Sequence, residues 1–408
     1  MPDALAKLTN IQVLKIAYNE FSQIPEVVFS LNKIQYLYVN NNELIEIPEN
    51  VGKFKQLKEL YCQENGIKKI AGEIGSCSLL ETLEAGENHI ETIPEAIGFC
   101  SNLSKIDFFN NQLNSLPASI GKCTKLEYID LDWNNINRLP DEICLLSHLH
   151  ALKLEKNKLN SLPQNFGSLE KLRLIKLNNN ELDELPESFG NLHEITELNL
   201  SKNKLVSLPE SIGNLTNLTT IDLSQNQLVR VPASFGQLVN VKSIDLHNNK
   251  LTVLKGGELN LPSIEEINLS INNLVSIELK LDKCVKLQKL DLEMNHLAII
   301  PKSFSALSSL KFLNLSQNMI SDIPEFILKL KNLQELDLGK NEIVTLTKKL
   351  FLHEHLEILK LNSNKLQIIP LNIGQMKNLK HLNLSDNPFY KCHISQIKDR
   401  IKIEELVL

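Results

Sequence analysis

The sequence predicts an α/β solenoid, with short parallel strands on a concave sheet and short helical or irregular segments on the convex side. Three observations predict this fold class. An asparagine recurs every 23 residues, apolar residues keep the same phase, and a Leu-Pro step follows most of the strand-like segments. Seventeen repeats follow one another within the 408 residues. Such coils bury their core only by stacking on their neighbours, so one continuous body is expected.

Each part of the repeat has a physical reason. The unit reads L-x-x-L-x-L-x-x-N-x-L-x-x-L-P-x-x-I-G-x-L-x-x. The Leu-x-Leu alternation has the strand period of two, so its leucines point inward and the residues between them point outward. The asparagine amide both donates and accepts hydrogen bonds, so a column of asparagines would satisfy the backbone of neighbouring turns. Proline is tolerated where the return begins, because no ladder hydrogen bond is required of it there. The recurring residues are Asn19, Asn42, Asn65, Asn88, Asn111, Asn134, Asn157, Asn180, Asn203, Asn226, Asn249, Asn272, Asn295, Asn318, Asn341, Asn364 and Asn387.

The repeat resembles a known class. The stretch 205–213, LVSLPESIG, closely matches the intracellular Ras-group leucine-rich-repeat proteins, which include the Shoc/Sur, Scribble/Erbin and Ras-suppressor repeats. The resemblance covers nearly the whole chain. It implies a leucine-rich-repeat horseshoe that acts as a scaffold, with a small GTPase or a phosphatase as the partner.

Composition excludes several classes of function and indicates the cellular compartment. The net charge is -6 and the isoelectric point about 6.0, without the basic surplus typical of nucleic-acid binders. No apolar run approaches the ~20 residues that span a bilayer, and the first residues lack the apolar stretch of a secretory signal. Seven cysteines without paired clusters favour reduced thiols and a cytoplasmic location.

The two ends break the pattern. Residues 1–10 form a partial repeat or an N-terminal cap, residues 11–387 the solenoid, and residues 388–408 a C-terminal cap. The start halfway through a coil leaves open that the chain is a fragment of a longer protein. In the C-terminal cap, a helical or extended segment is expected to turn Ile394, Ile397, Ile401 and Leu406 inward, because terminal coils need cover.

Four positions of each repeat should face the concave side, namely those six, four, two and one residues before the asparagine. In the first six repeats these positions hold five of the six tyrosines and the only tryptophan. Such rings are enriched at interface hot spots because they bury much area with few rotatable bonds. The alternative is that large side chains merely fill a tight concave surface. The aromatic residues are Tyr18, Tyr36, Tyr38, Tyr61, Phe109, Tyr128 and Trp133.

Acidic residues alternate with these rings, and lysines follow in the next two repeats. The acids indicate a partner with a basic surface, although aspartate is common at the column of Asp107 and Asp130. The lysines would contact an acidic part of the partner or balance neighbouring acids. The charged residues are Glu59, Glu64, Glu84, Glu87, Asp107, Asp130, Asp132, Lys153, Lys156 and Lys176.

A second, weaker set of unusual residues lies in repeats 11–14 at the same positions. Ile271 and Met294 depart from the polar residues that the repeat favours there. The set consists of His247, Ile271, Glu293, Met294 and Phe312.

Several other patterns receive structural interpretations. Cys77, Cys100 and Cys123 fall 23 residues apart in a leucine column and are expected to replace core leucines rather than bind zinc, whose ligands come in close pairs. The run 353–355, HEH, lacks metalloprotease spacing and is expected to be solvated. Four linkers between repeats lack the proline and have Ala71, Lys255, Glu278 and Thr347 in its place. Two explanations stay open: sequence drift on the convex side, and a local change of curvature between repeats 11 and 13.

The sequence therefore predicts an intracellular scaffold or adaptor that binds a folded protein on the concave face of repeats 1–8. No catalytic residues, metal ligands or cofactors are expected, and the solenoid should be monomeric. Two alternatives stay open: a structural subunit of a cytoskeletal or ciliary assembly, and the regulatory repeat region of a longer enzyme.

Overall fold

The computed structural model describes residues 3–256, 258–390 and 403–408. The chain divides into two compact units, Met1–Leu205 (unit 1) and Val206–Leu408 (unit 2). Among the described residues, each unit contains nine three-residue strands that belong to a parallel sheet, and short helices of the 3-10 type alternate with the strands. This arrangement confirms the predicted α/β solenoid.

The elements of unit 1 repeat in strict order. Its strands are β1 (Val13–Lys15), β2 (Tyr36–Tyr38), β3 (Glu46–Ile47), β4 (Glu59–Tyr61), β5 (Lys69–Ile70), β6 (Thr82–Glu84), β7 (Lys105–Asp107), β8 (Tyr128–Asp130), β9 (Ala151–Lys153), β10 (Leu174–Lys176) and β11 (Glu197–Asn199). Its 3-10 helices are η1 (Asp3–Lys7), η2 (Glu26–Ser30), η3 (Glu49–Lys53), η4 (Gly72–Ser76), η5 (Glu95–Phe99), η6 (Ala118–Lys122), η7 (Asp141–Leu145), η8 (Phe166–Ser168) and η9 (Glu187–Asn191).

Unit 2 follows the same order with fewer helices among its described residues. Its strands are β12 (Thr220–Asp222), β13 (Ser243–Asp245), β14 (Val253–Gly256), β15 (Glu266–Asn268), β16 (Ser276–Leu279), β17 (Lys289–Asp291), β18 (Phe312–Asn314), β19 (Glu335–Asp337), β20 (Ile358–Lys360), β21 (His381–Asn383) and β22 (Glu405–Val407). Its 3-10 helices are η10 (Glu210–Asn214), η11 (Ala233–Gln237), η12 (Lys302–Ala306), η13 (Glu325–Lys329), η14 (Lys348–Leu352) and η15 (Leu371–Gln375).

The strand register follows the 23-residue period. In the pair of β2 with β4, Leu37 lies opposite Leu60 and Tyr38 opposite Tyr61. In these two strands the central residue is buried, while its neighbours are partly exposed, as the period of two predicts. Each repeat therefore places equivalent side chains next to one another on the outward side of the sheet.

The asparagine column satisfies the buried backbone as expected. Asn88 donates its amide hydrogens to the carbonyl oxygens of Cys62, Ala85 and Gly86, at 3.0–3.1 Å. Its Oδ1 atom accepts the backbone N–H of Ile67 at 3.0 Å. Because two of these four partners belong to the preceding repeat, Asn88 ties its own turn to the neighbouring one, which confirms the predicted role.

The residue before each asparagine adopts the left-handed backbone conformation, with φ between 52° and 61°. Asparagine tolerates this region well, and it occupies the position in several repeats, for example Asn110 and Asn248. Bulky residues pay a steric cost there. Tyr18, Trp133 and Ile271 nevertheless hold this position, which the sequence pattern alone does not reveal.

Proline explains where most helices begin, and its absence explains two additional sheets. The N–H of Ala71 donates to the carbonyl oxygen of Ile47 at 2.9 Å, beside the pair of β3 with β5. Likewise Lys255 and Glu278 face each other in the pair of β14 with β16. A proline has no N–H to donate, so these linkers gain a second, helix-side pairing that proline would prevent. Thr347 instead begins η14 and accepts the N–H of Lys349 through its side chain.

Cysteine thiols take core positions, as predicted from their column. Cys77, Cys100 and Cys123 are fully buried, and each donates its thiol hydrogen to a backbone carbonyl oxygen of the preceding repeat at 3.4–3.5 Å. Burial raises the pKa of the Cys100 thiol to about 12 and that of Cys77 to about 11. These side chains are therefore neutral, inward-facing replacements of leucine.

The expectation of a solvated His353 is wrong. Its side chain is buried, and its Nε2 atom lies 3.0 Å from the carbonyl oxygen of Leu330. Burial lowers the pKa of His353. The residue fills the column that leucine or cysteine occupies elsewhere, and the imidazole satisfies a carbonyl as the cysteine thiols do.

The C-terminal segment is described only in part. Ile394, Ile397 and Ile401 lie outside the described residues. Leu406 belongs to β22, which pairs in parallel with β21 and places Leu406 opposite Leu382. An extended strand thus covers the edge of β21, as one of the two expected forms of the cap would.

Candidate functional site

The outward side of the sheet in unit 1, here called the strand face, carries the aromatic residues that the sequence singled out. Tyr36, Tyr38 and Tyr61 are partly exposed on β2 and β4, and Tyr128 lies in the same way on β8. Tyr18 and Trp133 occupy turns at the strand ends and are 78% and 45% exposed. The described rings therefore lie neither in the core nor on the helix side of the unit.

Tyr38 and Tyr61 form a stacked pair at one end of this face. Their ring centroids lie 4.6 Å apart with planes 4° from parallel. The Lys15 ammonium lies 4.8 Å from the Tyr38 ring centroid, and the Tyr61 hydroxyl donates to Glu59 at 2.8 Å. Partial burial and this hydrogen bond raise the pKa of Tyr61, so its hydroxyl stays a donor at neutral pH. The pair presents a fixed aromatic surface beside a carboxylate.

Trp133 forms a second aromatic group with Phe109. The two rings meet edge to face with centroids 6.2 Å apart. The Lys156 ammonium lies 3.4 Å from the centre of the Trp133 ring, an attractive cation–π contact. Because Trp133 holds a left-handed conformation, its ring is oriented by the turn rather than by a strand.

Several acids of repeats 4 to 7 are paired with lysines within the face. Lys105 pairs with Glu84 at 2.6 Å, and Lys153 pairs with Asp130 at 2.8 Å. The same Lys153 lies 5.0 Å from the centre of the Tyr128 ring. Burial disfavours the lysine charge, but the hydrogen bonds to Asp130 and Tyr128 outweigh it and raise the pKa of Lys153. The predicted alternation of acid and aromatic residues is thus a fixed network of lysines, carboxylates and rings.

Asp132 is not the open acidic contact that its column implies. Its side chain is buried, accepts the N–H of Glu155 at 2.6 Å, and lies 3.7 Å from the Lys176 ammonium. Burial raises the pKa of Asp132 to about 6, although the backbone hydrogen bond opposes this. Its role is to position the turn before Trp133 and to hold Lys176.

Acids without a cationic partner concentrate in repeats 3 and 4. Within the described residues, Glu59, Glu64 and Glu87 belong to none of the ion pairs with lysine, arginine or histidine. Asp107 is also unpaired, and burial raises its pKa. The strand face therefore has an acidic aromatic part around the Tyr38–Tyr61 stack and a self-neutralised part around Tyr128.

Sequence reasoning missed the lysines that act within this face. Lys15 and Lys105 lie six or four residues before the asparagine, in the same columns as the chosen tyrosines. The signal is present in the sequence, because each of these lysines has its contact partner 21 to 23 residues away, in a neighbouring repeat. The contact of Lys156 with Trp133 follows from the same rule.

None of the helices in the described ranges has the length and apolarity to cross a bilayer.

The leucine rich repeat model matches residues 185–228, 239–297, 262–320, 286–343 and 331–389, and the leucine-rich repeat region model matches residues 103–205. A comparison with curated proteins gives no match.

Solved structures share the fold over nearly the whole chain. A leucine-rich-repeat protein of Leptospira interrogans is 30% identical with a TM-score of 0.74, over 99% of this chain and 97% of that one. The plant peptide hormone receptor RGFR1, solved in complex with RGF2, is 27% identical with a TM-score of 0.73, over 100% of this chain and 73% of the receptor. Toll of Drosophila, solved with Spatzle, is 22% identical with a TM-score of 0.72, over 98% of this chain and 58% of Toll, a likeness of fold alone. From its repeats, its parallel sheet and these matches, the chain belongs to the leucine-rich repeat family.

Proposed function

We propose that this protein is a non-catalytic recognition module that holds a protein partner on the strand face of unit 1. The observation that carries the proposal is the group of partly exposed, mutually fixed rings on that face. Tyr38 and Tyr61 are stacked, and Trp133 is held by Phe109 and Lys156. Rings fixed before binding lose little conformational entropy when a partner covers them. Truncated hot-spot aromatics commonly cost about 2 kcal/mol or more.

The proposed partner presents a basic surface to repeats 2–4. Glu59, Glu64 and Glu87 supply negative charge there without lysine, arginine or histidine partners among the described residues. A lysine or arginine of the partner would meet a carboxylate and an aromatic face together, which favours association and correct orientation. Lys105, Lys153 and Lys176 are engaged with acids of the same face, so they contribute shape and rigidity instead.

A receptor with the same repeat fold supports recognition of a polypeptide. RGFR1 was solved in complex with the peptide RGF2, and its fold matches this chain with a TM-score of 0.73. The likeness supports a general binding role, whereas the choice of partner rests on the side chains described above. We further propose a monomeric scaffold of the cytoplasm, where the buried thiols of Cys77, Cys100 and Cys123 would remain reduced hydrogen-bond donors.

A mutational test separates this face from the rest of the surface. The triple variant Tyr38→Ala, Tyr61→Ala and Trp133→Ala should lose at least a hundredfold in affinity for a partner isolated by affinity purification and identified by mass spectrometry. The control Phe99→Ala removes an exposed ring on η5, on the helix side, and should bind as the wild type does. Equal affinity of the triple variant and the wild type, with both folded by circular dichroism, would reject the proposal.

A further inference from the structure

Unit 2 contains an apolar pair in a column that is otherwise polar. The residue before the repeat asparagine is Gln225, Asn248, Gln317, Lys340, Ser363 or Asp386 in the other repeats of this unit. Repeats 12 and 13 instead have Ile271 and Met294, which are 43% and 49% exposed. About half of each residue therefore stays open to solvent, which leaves an apolar surface that the fold does not cover.

Backbone strain makes this choice costly for the fold. Both residues are left-handed, with φ of 55° for Ile271 and 56° for Met294. A β-branched residue is a genuine outlier in this region, whereas asparagine occupies it readily. Backbone strain of this kind clusters at functional sites.

The two turns are adjacent, so one incoming group can cover both side chains. The Ile271 N–H donates to the carbonyl oxygen of Glu293 at 2.8 Å, and the Asn272 N–H donates to that of Met294 at 3.2 Å. Backbones joined in this way lie about 4.8 Å apart, a distance that a single aromatic ring spans. The pair is thus matched to one large apolar side chain.

The surroundings of the pair are acidic. Glu266, Asp291 and Glu293 lie on the same outward side of the sheet, and none takes part in the lysine, arginine or histidine ion pairs of the described residues. Lys289 lies opposite Glu266 in the pair of β15 with β17, so the three carboxylates outnumber one neighbouring lysine. Gln317 and Asn314 hold the Glu293 carboxylate at 2.6 and 3.4 Å. The Glu293 carboxylate is therefore fixed next to Met294.

We propose that Ile271 and Met294 form a second docking surface, which takes an aromatic anchor flanked by lysine or arginine on an extended segment of a partner protein. The apolar pair receives the ring, and Glu266, Asp291 and Glu293 receive the cations. This surface lies wholly in unit 2 and uses none of the residues proposed for binding in unit 1, so either proposal can fail alone.

The test uses defined peptides and the full chain. Fluorescein-labelled GKKFKKG should bind the wild type more tightly than GKKSKKG, which lacks the ring, and GEEFEEG, which reverses the charge. The double variant Ile271→Asn and Met294→Gln should weaken binding of GKKFKKG at least tenfold while its melting temperature stays the same or rises, because the strain is relieved.

A matched control makes the same two substitutions at apolar residues outside this column that are more exposed. Ile299→Asn and Met319→Gln change residues that are 77% and 53% exposed and should leave binding of GKKFKKG unchanged. The inference is overturned if GKKSKKG binds as tightly as GKKFKKG, if the double variant binds normally, or if it loses both binding and melting temperature as a purely structural pair would.

Discussion

The ring of Tyr38 lies parallel to that of Tyr61, with 4.6 Å between the centroids and 4° between the planes. The two residues are 23 positions apart, and β2 pairs with β4 in the register that brings them side by side. Residues one repeat length apart in the sequence thus become neighbours on the sheet, and here they form a stacked aromatic pair. The contacts of Lys15 with Tyr38 and of Lys153 with Asp130 also join residues 23 positions apart.

The Tyr38–Tyr61 stack should contribute little to the fold. Because both rings are partly exposed, Tyr38→Ala and Tyr61→Ala should each lower the free energy of unfolding by no more than about 1.5 kcal/mol, with a coupling of about 0.5 kcal/mol. A double-mutant cycle measured by urea unfolding checks this. A coupling above about 2 kcal/mol would mean that the rings serve the core rather than recognition.

Substitutions in the asparagine column should lower the free energy of unfolding far more than substitutions in the tyrosine stack. Asn88→Ala leaves the buried Ile67 N–H without its acceptor and should lower the free energy of unfolding by about 3 kcal/mol. Asn110→Ala, in the exposed left-handed position, should cost about 1 kcal/mol. Chemical unfolding of both variants gives the comparison, and equal losses would contradict the proposed role of the column.

The raised pKa of Asp132 should make the stability of the protein depend on pH. Its folded pKa of about 6 exceeds its ordinary value of 3.8, so the folded state binds this proton more tightly. The favourable contribution is complete below pH 3.8 and is lost as the pH rises through 6. Asp132→Asn should therefore raise the free energy of unfolding by about 2 kcal/mol at pH 7.5, with a gain that shrinks towards pH 4. Urea unfolding at both values measures it, and a variant less stable at pH 7.5 would show that the pair with Lys176 dominates.

The two linkers of Ala71 and Thr347 should respond in opposite ways to the consensus proline. Thr347 has φ of -67° and Ala71 has φ of -66°, so the backbone of either accepts proline. Thr347→Pro should stabilise the protein by roughly 0.5–1 kcal/mol through the unfolded state. Ala71→Pro gives no gain, because it removes the hydrogen bond to Ile47. Calorimetric melting temperatures decide, and an equal rise in both variants would contradict this difference.

Most of the fold can be predicted from the sequence, because a single 23-residue period determines the strands, the turns and the core together. The inward leucines, the asparagine column and the helix that follows proline were all predictable from spacing. His353 was not, because a histidine in a leucine column is buried only when a carbonyl such as that of Leu330 receives its imidazole. The left-handed turn at Trp133 was equally hidden, since backbone conformation at that position does not depend on a single residue type.

The site was predictable as a set of columns but not as a network. Spacing placed Tyr38, Tyr61 and Trp133 on one face, yet it treated Asp132 as an open acid. Burial of Asp132 arises from the turn of the next repeat, through the N–H of Glu155. Whether an acid faces solvent or a lysine depends on the side-chain conformations of neighbouring repeats, and the aligned repeat sequences do not contain this information.

Hydroxyl-radical footprinting of the complex with the purified partner tests the central claim most directly, because it reports which surface the partner covers. Tyr38, Tyr61 and Trp133 should be strongly protected in the complex, while the exposed ring of Phe99 on η5 keeps its free reactivity. Protection of Phe99 with unchanged oxidation of the three strand-face rings would contradict the account.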